Sequence, residues 1–383
     1  MMPRIRLVLD NCFASKRWTE PGEWMDIARD VGVYYVEASA DNECDPLYGT
    51  PESLQDWVRA AREATGRTGV QVANLYSGHG SYATLGLAHP DVRVRDHIQH
   101  NWLDVMIRTA AELDAGLGFF CHAFPQSVLR DQQRYAGAEA DLFARLGQLA
   151  RVAADVGLSS ISVEQMYAPH QIPWTLSGAC HLLREVYRLS GAPMYLTLDT
   201  GHAIGQRGYL KPAREQIAAF VTAARAGQPS DDLWIGLLDA GIDVHAPDAE
   251  DRLLAQIEAQ SYLFAEPDDG DPYQWLRRFG AYAPIIHLQQ TDGTSSAHRP
   301  FTTQFNTTGI IQPDRLLHAL AEAYARDDEP GLPPRCQDIY LTLEVFSGTA
   351  QRPNAILANI RESVAYWRQF IPEDGLPLDR LII

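Results

Sequence analysis

The chain has 383 residues, 46% of them hydrophobic and 21% charged, a balance that excludes a disordered or coiled-coil protein and leaves room for a large core. Its formal net charge of -17 argues against nucleic acid and anionic lipid surfaces as partners and favours a small-molecule substrate. Five cysteines without a CxxC spacing exclude a disulfide framework or a zinc knuckle and point to a reducing, cytoplasmic setting, since the apolar stretch before Asp10 is too short for a signal core and no run approaches the ~20 residues of a membrane span.

In chain order, short apolar runs over 5–10, 34–38, 70–76, 116–121, 160–164, 195–199, 285–288 and 340–344 read as buried strands. Helical patterns follow them, beginning near Pro21, Ser53, Val92, Glu139, Leu176, Asp271, Asp314 and Asn354. Eight strand–helix units predict an α/β fold, a (β/α)8 TIM barrel in one domain over 1–383; a doubly wound sheet is the alternative. One segment exceeds this plan. Residues 203–270 form a long insertion after strand 6, with two helix-like patterns, expected to cover the catalytic face or to make a subunit contact in a homo-oligomer.

Four of the runs end in a chemically active residue: ISVE at Glu164, YLTLD at Asp199, IIH at His287 and YLTLE at Glu344. In a closed barrel the ends of consecutive strands lie ~5 Å apart on one rim, which brings three carboxylates and an imidazole within reach of one divalent ion. A carboxylate at the end of a buried strand is costly unless it is paired or metal-bound. Taken singly, Asp199 could cap a turn and His287 could be a satisfied core residue; together the four predict a metal site. Mn²⁺, Mg²⁺ or Co²⁺ suits such a donor set better than a thiolate-preferring metal.

Other polar residues fall on the same predicted rim: Asp10, Asn11, Glu37, Tyr76, His79, His122 and, three residues after Asp199, His202. Such a lining suits a hydroxylated ligand, because every buried hydroxyl needs a partner. Lys16, Arg17 and Arg299 are candidates for a substrate phosphate, weighed against plain surface charge, with no glycine-rich phosphate cradle in the chain. The sequence has no GxGxxG after a strand, no GxxxxGK[ST], no GxSxG and no HExxH.

The motifs SVEQM, TLDTGH, IIHLQQTD and TLEVF make the chain similar to the xylose-isomerase-like TIM-barrel superfamily, and among its branches it resembles the ketose 3-epimerases. The resemblance implies a metal held by Glu164, Asp199, His287 and Glu344, an acid–base pair of Glu164 and Glu344, and a substrate contact from His202; His79, His122, Glu37 and Arg299 are further substrate-binding candidates. The separation of 88 residues between Asp199 and His287 exceeds one strand–helix unit, and the arginine that follows the strand-7 histidine in those epimerases is missing from LQQTDG, with Arg299 a candidate replacement. The expected activity is metal-dependent isomerisation or epimerisation of a sugar or sugar phosphate through an enediolate. Dehydration of a keto-sugar or keto-inositol is the alternative, and a non-catalytic carbohydrate-binding barrel the second.

Overall fold

The computed structural model describes residues 2–77, 86–228, 233–237 and 243–382. Eight parallel strands run β1 (Arg4–Asp10), β2 (Tyr35–Ser39), β3 (Gln71–Ser77), β4 (Gly116–Phe119), β5 (Ile161–Glu164), β6 (Tyr195–Asp199), β7 (Ile285–Leu288) and β8 (Asp338–Leu343). Each pairs with the next, and β1 pairs with both β2 and β8, which closes the barrel. A two-residue strand, β9 (Leu376–Pro377), lies antiparallel on β1. The expected barrel is the observed one. Among the described residues no helix is long and apolar enough to cross a membrane.

Sequence boundaries shift where polar residues mask an element. The helix expected from Ser53 starts at Pro51, because Thr50 is the N-cap and accepts from the Ser53 N–H, while Gly69 at φ 76° closes its C-terminus. The helix expected from Glu139 begins at Gln132: Asp131 caps it, and its first turns are too polar to show an apolar period. β8 ends at Leu343, so Glu344 is the first residue beyond the strand.

The outer faces of the strands pack on the helices, with Trp24, Trp102, Trp275 and Trp367 fully buried. At the N-terminal end of the barrel Arg6 lies between the rings of Tyr35 and Tyr340 and pairs with Asp338. The opposite end carries the polar residues. The pairings Glu164 with Thr197, Asp199 with His287 and His287 with Thr342 set the layers. Side chains alternate along a strand, so Gln289 and Glu344 follow His287 and Thr342 one step nearer the rim.

Between β6 and β7 the chain forms a 3-10 turn (His202–Tyr209), helices Arg214–Arg225 and Ala249–Ala259, and the helix Pro272–Phe279. Tyr262 ties this segment to the helices between β4 and β5: its hydroxyl donates to the Leu129 carbonyl at 2.7 Å, and its ring stacks on Tyr135 at 4.0 Å. Ile204, Gly205, Arg207 and Gly208 of the same segment border a groove that reaches His298.

Candidate functional site

Asp199 is built into the first turn after its strand. Its Oδ1 accepts from the N–H groups of Gly201 (2.6 Å) and His202 (2.9 Å) and from Gln289 Nε2 (2.8 Å). A Cβ on Gly201 would lie 2.3 Å from the Gln289 amide carbon, so the glycine of LDTGH is what lets that amide reach the carboxylate. The other oxygen, Oδ2, is buried without a hydrogen-bond partner. Burial alone would raise this carboxyl; the nearby imidazoles of His202, His298 and His287 hold it below its ordinary range instead.

The two glutamates line one pocket of about 130 Å³, together with Tyr76, Phe120, Met166, His202, His298 and Phe346. The Tyr76 hydroxyl donates to Glu164 Oε2. Glu344 Oε2 lies 3.1 Å from His298 Nδ1, close enough for ionic attraction, yet neither atom has a well-aligned hydrogen-bond partner. Burial raises the Glu344 carboxyl despite the two histidines beside it. His298 behaves conversely. Burial lowers its pKa, but Glu344 and more distant carboxylates outweigh that and bring it up to about 9.

His287 lies deeper, fully buried, between two carboxylates. Its Nδ1 is 3.1 Å from Glu164 Oε1, and its Nε2 is 3.2 Å from both oxygens of Glu37. Burial works against its charge, but Glu37, Glu344 and the hydrogen bonds to Glu164 and Glu37 hold its pKa well above the ordinary imidazole value. Glu37, fully buried, also accepts from Asn74 Nδ2 at 3.1 Å. It therefore partners His287 and does not line that pocket.

His202 stands at the pocket wall with Nδ1 2.8 Å from the Gln165 carbonyl, which fixes Nδ1 as the donor and leaves Nε2 to face Asp199 Oδ2 at 3.9 Å. Its ring meets Tyr167 edge-on. His122 packs on Phe120 and Trp102, where burial pushes its imidazole down to about 3, and it does not line the pocket. Arg299 pairs with Asp292 at 2.7 Å and lies over the Phe305 ring. His79 lies outside the described residues.

Two donor groups can close on one ion: Glu164, Asp199 and His202, and Asp199, His298 and Glu344, the ligand atoms of each group lying within 4.8 Å of one another. Asp199 is common to both. A divalent cation would satisfy the buried, unpartnered Asp199 Oδ2 and Glu344 Oε2, and oxygen donors with imidazole fit a divalent first-row ion or Mg²⁺. His298 and Gln289 were not among the sequence candidates. Gln289 Oε1 accepts from the N–H groups of Ala297 (2.8 Å) and His298 (2.7 Å), so one side chain joins Asp199 to the loop that carries the histidine.

A family model described as xylose isomerase-like TIM barrel matches residues 25–368. The chain belongs to this family. It is 39% identical over 119 residues to D-erythrulose 1-phosphate 3-epimerase of Brucella abortus (strain 2308), a match that covers 31% of this chain and 35% of that protein. The chain thus spans about a third of the length of this curated relative. A solved structure titled a putative xylose isomerase from Rhodospirillum rubrum ATCC 11170 superimposes with a TM-score of 0.69 at 20% identity, covering 95% of this chain and 99% of that one. D-allulose 3-epimerase from Methylomonas sp., in complex with D-allulose, gives 0.53 at 14% identity over 97% of each chain. At these identities the likeness establishes the barrel, and within this xylose isomerase-like barrel the rim residues above form the candidate site.

Proposed function

We propose that the protein is a divalent-metal-dependent epimerase or isomerase of ketose phosphates. The observation that carries the reading is the placement of Glu164 and Glu344 in one pocket, from strand ends three places apart round the ring, with Asp199, His202 and His298 beside them. The curated relative acts, by its name, on a four-carbon ketose 1-phosphate, which suggests the substrate class.

Glu164, Asp199 and Glu344 would hold the ion, with His298 as the imidazole ligand. His287 suits that place less well, since both its nitrogens are engaged with Glu164 and Glu37. A divalent ion there supplies Lewis-acid stabilisation of the charge that develops on the ketose oxygens. Glu164 takes the proton from the carbon next to the carbonyl, while Glu344 gives one to the opposite face. Inversion at that carbon is epimerisation; return of the proton to the adjacent carbon by a single base gives isomerisation. Tyr76 and His287 hold Glu164 in place from two directions, and His202 presents Nε2 toward a substrate oxygen. The apolar wall of Phe120, Met166 and Phe346 keeps water from the reacting carbons.

The test is incubation with Mn²⁺ and a panel of ketoses and ketose phosphates in deuterium oxide, followed by NMR. Deuterium should enter at the carbon beside the carbonyl, and a chelator should stop it. Turnover without exchange, or full activity in chelator, would defeat the reading.

A further inference from the structure

The cleft continues past Phe346 into a second lobe of about 130 Å³, between the loops that follow β1 and β8. Tyr76, Glu344 and Phe346 line both lobes, so the second adjoins the space between the two glutamates. Asp10, Ser15, Lys16 and Ser347 border it. Among the described residues, Lys16 is the one lysine or arginine lining either lobe.

That residue is unusual on three counts. The chain has 32 basic residues besides histidine, of which only Lys16 and Lys211 are lysines. Lys211 pairs with Glu258 at 2.7 Å on the outer surface, whereas Lys16 forms no ion pair among the described residues. Lys16 also has φ 69°, in the left-handed region, which costs a residue with a side chain about 1–2 kcal/mol. Such strain concentrates where a side chain is placed for function.

The other cations near the cleft are committed. Arg17 donates to the carbonyls of Ser15, Gly348, Thr349 and Gln351 and to Ser347 Oγ, at 2.8–3.4 Å. It is a clamp that fixes both walls of the lobe. Because Ser347 Oγ accepts from Arg17, its own hydrogen is left to donate elsewhere. Arg299 is held by Asp292, and Arg207 donates to the Gly270 and Gly293 carbonyls. Within the second lobe Asp10 is 3% exposed and spends Oδ1 on the Cys12 N–H, while Lys16 is exposed. Charge therefore runs from acidic inside to basic at the rim, as suits a ligand with hydroxyls at one end and an anion at the other.

We propose that this lobe is the phosphate subsite: Lys16, with the hydroxyls of Ser15 and Ser347, binds the phosphomonoester of an open-chain ketose phosphate whose reacting carbon lies between Glu164 and Glu344. The inference rests on the proposed function for the reacting end of the molecule. Lysine serves here as a flexible point charge with three donors, which an exposed phosphate at the end of a carbon chain needs more than a rigid fork.

The experiment compares a ketose phosphate with the same ketose lacking phosphate, in wild type, Lys16→Met and the surface control Lys211→Met, each loaded with Mn²⁺. Inorganic phosphate is titrated in parallel and read by 31P NMR line broadening with Mg²⁺ in place of Mn²⁺. Lys16→Met should lower kcat/KM for the phosphorylated substrate on the order of 10- to 100-fold, the size expected for hydrogen bonds to a charged group, while leaving the free ketose within about threefold. It should also abolish phosphate binding, and Lys211→Met should match wild type in every assay. Equal losses on both substrates, or phosphate binding that survives in Lys16→Met, would overturn the subsite. If wild type turns over neither substrate yet binds phosphate through Lys16, the proposed reaction fails and the subsite stands.

Discussion

The imidazole of His298 lies flat on the ring of Phe346, with centroids 4.1 Å apart and planes 1° from parallel. The stack orients the histidine edge toward Glu344, 3.1 Å away, while Gln289 holds the backbone beneath it. His298 has φ 43°, a backbone state that a loop keeps only when its surroundings fix it. Phe346→Ala should therefore weaken Mn²⁺ binding by roughly 10-fold, in line with the loss of a group that orients a metal ligand. Phe346→Tyr should restore it. The melting temperature should barely change, because Phe346 is 43% exposed. Titration of metal into the apo protein, followed by calorimetry, reads both quantities, and unaltered affinity in Phe346→Ala would show that the stack positions nothing.

The two buried-site histidines should part company on mutation. His298→Ala should strip the metal, leaving well under one ion per chain after dialysis, with little effect on folding. His287→Ala should instead leave Glu37 fully buried without its ionic partner, which costs about 3–5 kcal/mol in comparable buried pairs. Metal analysis and urea unfolding on both variants separate the two roles. Loss of metal from His287→Ala at wild-type stability would return the ligand role to His287.

The barrel was legible because its eight strands are apolar runs of ordinary length, and a strand that ends in Glu164 or Asp199 announces its own rim position. A residue set by a loop announces nothing. His298 comes 11 positions after His287, in TDGTSSAHRP, and tertiary contacts, the Gln290–Arg299 bridge and the Gln289 side chain, fold that loop back over the site. Gln289 was hidden for a different reason: an amide in an apolar run gives no charge signal, and its partners lie 90 residues back, at Asp199, and in the loop ahead. His287 shows the limit from the other side. Its strand position was readable, but the occupation of both its nitrogens depends on Glu37, 250 residues away in the chain.

For the acid–base pair, Glu164→Gln and Glu344→Gln should each lower turnover by orders of magnitude, since glutamine keeps the shape and removes the base. Single-turnover exchange assigns the faces. A variant that has lost the base for one epimer should still wash deuterium into the other. His202→Ala should raise KM more than it lowers kcat, because its Nδ1 is tied to Gln165 and only Nε2 faces the pocket. Wild-type rates in both glutamine variants would remove the pair from the mechanism.

The half-buried carboxylate of Glu43, at the end of the short helix Ala40–Glu43, makes the last prediction one of pH. Glu43 Oε1 accepts from Trp24 Nε1 (2.7 Å) and Asn11 Nδ2 (2.9 Å), and Oε2 accepts from Trp57 Nε1 (2.9 Å). Burial nevertheless dominates these three donors and raises its pKa from 4.5 to about 8. Between those two values the folded chain keeps a proton that the unfolded chain has released, so stability falls as pH rises through the window. The contribution is fully present below pH 4.5, declines by at most about 1.4 kcal/mol per pH unit, and is gone above about pH 8. Glu43→Gln cannot titrate. It also turns an amide N–H toward one of the tryptophan donors, a loss that does not depend on pH. The variant should be less stable than wild type at pH 5, and the gap should narrow or reverse by pH 8.5. Urea unfolding of the two proteins at pH 5, 7 and 8.5 measures this directly, because the other titrating groups cancel in the difference. Parallel stability curves across that range would mean that Glu43 is ionised in the folded protein throughout, with the three donors outweighing burial.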